Sequence, residues 1–306
     1  MRPGMARRQG LLAAMRLCDL LCAGYMAAVA ALIALGRARI DPWPALLAGH
    51  LGFVALALAL PTLALRAPRA RLLVLLRIYY PALVFAWAYL EMDFIQPVLI
   101  GGWSASVPLA HLDRAIFGTH LTVAVERLYG SPLDEVFALV YLSYYTVPAI
   151  IGVVLLRRGR RDELLTVVGA VGLTYITNFI LFLLIPALGP RSTPGLAELH
   201  HADYHGPLFA RLCLFAEGEA GPIAGAVFPS SHVSATLAWG LATMRYSRPL
   251  GRFAVAVALA IVPATVYLGY HHAIDAVTGA LLPLATVPVA FALMRRRGEA
   301  DRSPPR

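Results

Sequence analysis

The sequence predicts an all-α fold, a polytopic membrane bundle of about eight transmembrane helices. Three observations carry this. The chain is 59% apolar and only 14% charged, with a mean hydropathy of +0.70. A soluble domain has about 45–50% apolar and about 25% charged residues. The apolar residues fall into successive runs of roughly the 20 residues that a helix needs to cross a bilayer. The cationic residues, 26 in number and all arginine, cluster between those runs.

The runs lie near 18–36, 44–65, 72–92, 133–156, 164–186, 231–246, 252–270 and 274–294. The third is interrupted by Arg77 and Pro81 and the sixth is short, which leaves seven as the alternative count. A basic start precedes the first run and no small-residue cleavage site follows it, so it reads as a retained span rather than a signal peptide. No internal repeat or low-complexity linker divides the chain.

Arginine distribution fixes the expected orientation. With both termini inside, 18 of the 26 arginines fall on cytoplasmic segments, among them Arg66, Arg69, Arg71, Arg157, Arg158, Arg160, Arg161, Arg245, Arg248, Arg252 and Arg295 to Arg297. The opposite face holds only Arg37, Arg39, Arg114, Arg127, Arg191 and Arg211. The positive-inside rule selects this orientation. The net charge of +9 is thus a topology signal, and no nucleic-acid partner is expected. Two outer segments are long. Residues 93–131 read as a loop plus an amphipathic interfacial helix. Residues 187–230, rich in Gly, Pro and His, cannot span, and long loops of this kind are often functional.

The three cysteines give no disulfide framework. Cys18 and Cys22 read as core packing and Cys213 as a loop residue. His200, His201, Asp203 and His205 could ligate a metal, but a solvated polar loop is the preferred reading, and no metal or cofactor is expected. Asn178, Thr174 and Thr177 read as bridges between helices, and Arg16 with Asp19 as a local ion pair.

Three polar clusters converge on the outer face by separate chain returns. They are Gly189-Pro190-Arg191-Ser192, Phe228-Pro229-Ser230-Ser231-His232, and Tyr270-His271-His272-Ala273-Ile274-Asp275. If helical, His271 and Asp275 share a face, and the carboxylate can fix the imidazole tautomer and sharpen its free nitrogen as a nucleophile or base. His232 opens a helix behind Ser230 and Ser231, where backbone N–H groups and hydroxyls can cradle an anion. Arg191 offers a fork suited to phosphate oxygens. Together these groups suit phosphoryl transfer. Tyr141, Tyr144 and Tyr145 read as packing or belt residues, with headgroup contact as the sharper alternative, assigned to Tyr144 and Tyr145 in the candidate site. His272 reads as a neighbour of the site.

FPSSH resembles the Pro-Ser-x-His motif of the type 2 phosphatidic acid phosphatase superfamily. His271-x-x-x-Asp275 followed by Gly279 resembles its last motif. ATVYLGYHHAID and YLSYYTVP (141–148) are similar to the inositol phosphorylceramide synthase branch, and the resemblance covers roughly residues 130–295. It implies a six-helix phosphatase-like core with two added N-terminal helices. The chain then divides into N-terminal membrane helices (1–70), a catalytic membrane domain (71–295) and a cytoplasmic tail (296–306). It also implies His271 as a nucleophile forming a phosphohistidine, Asp275 as its orienting group, His232 as general acid then base, and Arg191 with Ser230 and Ser231 on the substrate. Two phosphate-binding cations of the superfamily are replaced, by Leu184 and Thr265, which favours the synthase branch. The implied function is an integral-membrane lipid phosphatase or inositolphosphotransferase acting on a lipid phosphate or phospholipid, with water or a hydroxyl as acceptor. Its expected location is a bacterial inner membrane with the site on the non-cytoplasmic face. The rival is a transporter or lipid-binding protein with a vestigial site.

Overall fold

A computed structural model describes residues 14–67, 69–216 and 225–299. Arg2, Arg7, Arg8, Arg302 and Arg306 of the arginine census lie outside them, as does most of the tail. The architecture is all-helical. Among the described residues seven helices are long and apolar enough to cross a membrane: α1 (Leu17–Gly36), α2 (Trp43–Arg66), α3 (Arg71–Leu90), α6 (Leu133–Arg157), α7 (Arg161–Leu184), α10 (Arg248–Tyr267) and α11 (Ala273–Arg296). This is an integral membrane protein.

Shorter helices among the described residues are α4 (Met92–Ile100), α5 (Ser106–Phe117), α8 (Phe209–Leu214) and α9 (Ser231–Met244), with a single helical turn at Leu121–Ala124. The expected sixth span is α9, whose 14 residues reach only about 21 Å at 1.5 Å per residue. It is nevertheless lined with buried residues from Val233 to Thr243. The interruption expected in the third run does not break α3, which carries both Arg77 and Pro81 in one continuous helix.

The central element is α7, the most enclosed of the seven. It has no polar face, so its few polar side chains must find partners inside the bundle. Thr174 shares a hydrogen bond with Thr286 of α11 (2.7 Å), and the Asn178 amide donates to Ser234 of α9 (2.7 Å). These are two of the three expected inter-helix bridges; the Thr177 hydroxyl instead donates to Leu173 O within α7 (2.8 Å), as a helix-interior threonine can satisfy itself on the preceding turn. Cys18 and Cys22 are buried core residues, with Cys18 packed where a Cβ on Gly172 would lie 3.1 Å from its sulfur. Cys213 is also buried, on the short helix α8 rather than in a loop.

The local pair expected between Arg16 and Asp19 takes another form. Asp19 accepts from the Arg16 backbone N–H, while its carboxylate meets Arg77 (3.0 Å) and Tyr80 (2.7 Å) of α3. The Arg16 guanidinium pairs instead with Asp162. An intrahelical pair would leave the buried Arg77 unmatched, and the buried carboxylate follows the buried cation.

The two ends of the bundle differ. Arg16, Asp162 and Arg297 gather at one end, and Arg160 donates there to the Tyr246 carbonyl (2.9 Å). The other end carries the long segments. Residues 185–189 are pinned there by Ala105 N–H to Pro186 O (2.8 Å), by Leu188 N–H to the Ser106 hydroxyl (2.8 Å), and by a lone bridge between Ala187 and Ala226.

Candidate active site

The last turn of α10 builds the first half of the site. Gly269, at φ +74°, follows the helix in the left-handed conformation. The Tyr270 N–H returns to Thr265 O and the Gly269 N–H to Val266 O, the paired bonds of a Schellman ending. This reversal delivers His271 between α10 and α11. His271 is therefore not helical, and its approach to Asp275 does not come from a shared helix face. Asp275 is the third residue of α11 and reaches back to accept the N–H of its N-cap, His272 (2.8 Å), as in a capping box. The same oxygen lies 3.7 Å from His271 Nδ1. Nε2 is then the ring nitrogen turned away from the carboxylate. Asp275 is fully buried and His271 nearly so.

The start of α9 builds the second half. Ser230 caps it, accepting from the Val233 N–H (3.5 Å). The Ser230 backbone N–H donates to Asp275 O (3.0 Å), so a main-chain bond joins the two histidine motifs directly. Gly279 permits this closeness, since a Cβ there would stand 2.6 Å from Ser230 O.

The His232 and His271 rings then lie 6.0 Å apart, centroid to centroid, at 64°. Neither nitrogen of His232 has a hydrogen-bond partner among the described residues. Tyr141 stacks on the His232 ring at 4.6 Å, and Tyr144 packs at 4.5 Å. The Tyr144 hydroxyl meets that of Tyr175 (2.5 Å). Tyr145 is half exposed, 6.4 Å from His232. The structure thus brings together His232, His271, Asp275, Ser230, Ser231 and Tyr144, with Tyr145 at the edge.

Arg191 is close by but differently engaged. Its stem and Nε lie against Gly269, where a Cβ would come within 2.6 Å of Nε. Its terminal nitrogens hold Asp203 (2.6 Å), Ala202 O (3.0 Å) and the Tyr129 hydroxyl (3.3 Å), with Glu126 at 3.6 Å. Nε is buried and has no hydrogen-bond partner among the described residues.

The 200–210 segment is the irregular, largely exposed loop that was expected, and it is also tied down as a strap. Glu126 takes the His200 ring (2.5 Å) and the His201 N–H (3.0 Å). Asp134 takes the His205 N–H (3.0 Å), and Glu135 takes the N–H groups that open α8. Burial alone would raise the Glu126 carboxyl, but these hydrogen bonds outweigh it and hold it below the ordinary carboxylate range. Among the described residues no group of three or more His, Cys, Asp or Glu side chains could hold a metal ion.

Sequence reasoning missed Asp113, a buried residue of α5 that accepts the Ile274 N–H (2.8 Å) and so tethers the start of α11. Its only signal was an acid within the otherwise apolar face of HLDRAIF. It also missed His272 as the N-cap. Burial holds the His272 imidazole below its ordinary range, against the pull of Asp275 and Asp113, so it adds no positive charge beside His271 at neutral pH.

Fold and site together define a membrane-embedded helical bundle with a histidine–carboxylate pair facing a second histidine. A family model of the PAP2 superfamily matches residues 107–289, and the chain belongs to that superfamily, which makes it a membrane protein of phosphatase type. No curated protein and no solved structure matches the chain.

Proposed function

We propose that this protein transfers a phosphoryl or inositol-phosphate-type group from a lipid to water or a hydroxyl acceptor through a phosphohistidine. The observation that carries this reading is the facing of His232 and His271 across 6.0 Å, with Asp275 behind His271 Nδ1 alone. Asp275 orients the ring from the Nδ1 side, and Nε2 attacks phosphorus. As the P–N bond forms, the bond to the leaving oxygen breaks and protonated His232 gives that oxygen its proton. His232 then takes a proton from the incoming water or alcohol, which attacks phosphorus and releases His271.

The N–H groups of Ser231 and His232 have no acceptor within their own first turn, and with the helix dipole they suit the phosphate oxygens. Arg191 contributes through Nε, the edge that lies against Gly269. Tyr144 and Tyr145 border the leaving group. This set stands where Leu184 and Thr265 replace the superfamily's other cations, which is the ground for the transferase branch. The catalytic unit extends over 71–295, beyond the matched residues, because α3 lines the cavity beside His232. We further propose that the site faces the non-cytoplasmic side of a bacterial inner membrane, since the arginine-rich end lies opposite.

The test compares two variants on two substrates. His271→Ala abolishes turnover of both a lipid phosphate ester and nitrophenyl phosphate. His232→Ala loses about 10²–10⁴-fold on the lipid ester, whose leaving alcohol needs a proton, and less on the activated aryl ester. Equal losses for His232→Ala on the two substrates remove its assignment as general acid.

A further inference from the structure

A cavity of about 550 Å³ opens at Ser231 and His232 and runs along the bundle between α3, α6 and α7. Its α7 wall extends from Phe179 through Tyr175 and Val171 to Leu164. At about 1.5 Å per residue that stretch covers roughly 22 Å. The hydrocarbon core of a bilayer is about 30 Å thick, so the groove passes well beyond the mid-plane from the end that holds the histidines. The opposite wall is α3, from Tyr89 through Phe85 and Ala82 to Ile78. At the deep end α3 approaches α6, where the Tyr79 hydroxyl lies 3.0 Å from where a Cβ on Gly152 would stand. Midway, Phe85 stacks on Tyr175 at 4.6 Å. Ala82 and Ala86 are exposed, leaving the groove shallow on that side.

We infer that this groove holds the hydrocarbon tail of the phosphate ester, and that its floor at Tyr79 and Gly152 selects tails longer than one bilayer leaflet. The inference rests on the phosphate-transfer reading for the headgroup alone. The occupant follows from continuity: the groove is lined mostly by apolar and aromatic side chains, and the one imidazole in its lining, His232, stands with Ser231 where the groove opens, the polarity of a lipid phosphate. A tail drawn from the membrane gains little by transfer, since surrounding lipid is as apolar as the walls. What the groove supplies is discrimination. A short tail leaves its deep end unfilled, and unfilled contacts are lost outright. The α3 wall lies outside the residues that match the superfamily, so this selectivity belongs to the present chain.

The experiment measures kcat/KM for alkyl phosphates of increasing length, alongside photolabelling by a long alkyl phosphate carrying a terminal diazirine. Efficiency of the wild-type protein rises at least tenfold as the tail passes one leaflet and then levels. Ala82→Trp and Ala86→Trp, at exposed positions on the groove wall, collapse that ratio several-fold. Leu259→Trp, on the lipid-exposed surface of α10, keeps it. The photoprobe, applied to His271→Ala protein, labels peptides containing Ile78 to Ala82 and Leu164 to Val171. A length profile that is flat, or identical in wild type and both groove variants, overturns the inference, as does labelling confined to other helices. Groove labelling without turnover of any phosphate ester by wild type would leave the tail site standing and remove the catalytic reading instead.

Discussion

Gly279 has no side chain because Ser230 O stands where its Cβ would be, at 2.6 Å. That one contact sets how near α11 comes to the start of α9, and so the spacing of His271 and His232. Gly279→Val should therefore overpack a buried junction, costing about 1–3 kcal/mol. A lowered Tm in detergent together with reduced turnover is the expected result; unchanged Tm and activity would show that the junction yields freely. The residue scale is also where the sequence was most legible. His232, His271, Asp275 and Ser230 all meet, and the motifs that named them are short and local. Arg191 was less legible. Its position after Pro190 marks it as an arginine near the site, but its terminal nitrogens hold Asp203 and Ala202, partners eleven and twelve residues on that no local pattern announces.

At the scale of elements, the site is assembled from helix ends, and their chemistry explains what could be read. Gly269 after the apolar run of α10 is a recognisable stop signal, and Ser230 before α9 a recognisable start. The relation between His271 and Asp275 was expected from a four-residue helical spacing, yet it arises from a capping box, because His271 lies in the turn. The loop at 200–210 was legible as a loop, but its tethering was not, since its anchors Glu126, Asp134 and Glu135 lie about 70 residues earlier in the chain. Glu126 carries a pH prediction. Its folded value lies below the ordinary one, so its contribution is present above about pH 4.3 and is lost as pH falls through the lower folded value. Amides 200–203 should show hydrogen-exchange protection at pH 6, corrected for intrinsic rate, that is lost near pH 3. Equal protection at both would mean that Glu126 does not hold the strap.

At the scale of the molecule, composition and arginine placement were enough for a membrane helical bundle, because bilayer thickness and backbone hydrogen bonding leave few alternatives. The short α9 shows the limit of that ruler: length alone could not say whether a 14-residue apolar helix crosses. The orientation is testable at Ser192, an exposed residue of the site end. With Cys18, Cys22 and Cys213 replaced, a cysteine at Ser192 should react with an impermeant thiol reagent in intact cells, and reaction only after the membrane is opened would invert the topology. The phosphohistidine on His271 is open to one direct measurement. Purified protein is mixed with a lipid donor labelled in its phosphate, quenched within the first turnover, and digested. If His271 is the nucleophile, the label appears on the peptide containing it, is stable to alkali and lost in acid as a phosphoramidate must be, and is absent from His271→Ala. Turnover that proceeds with no protein-bound label, or an identical label on the His271→Ala protein, would contradict it.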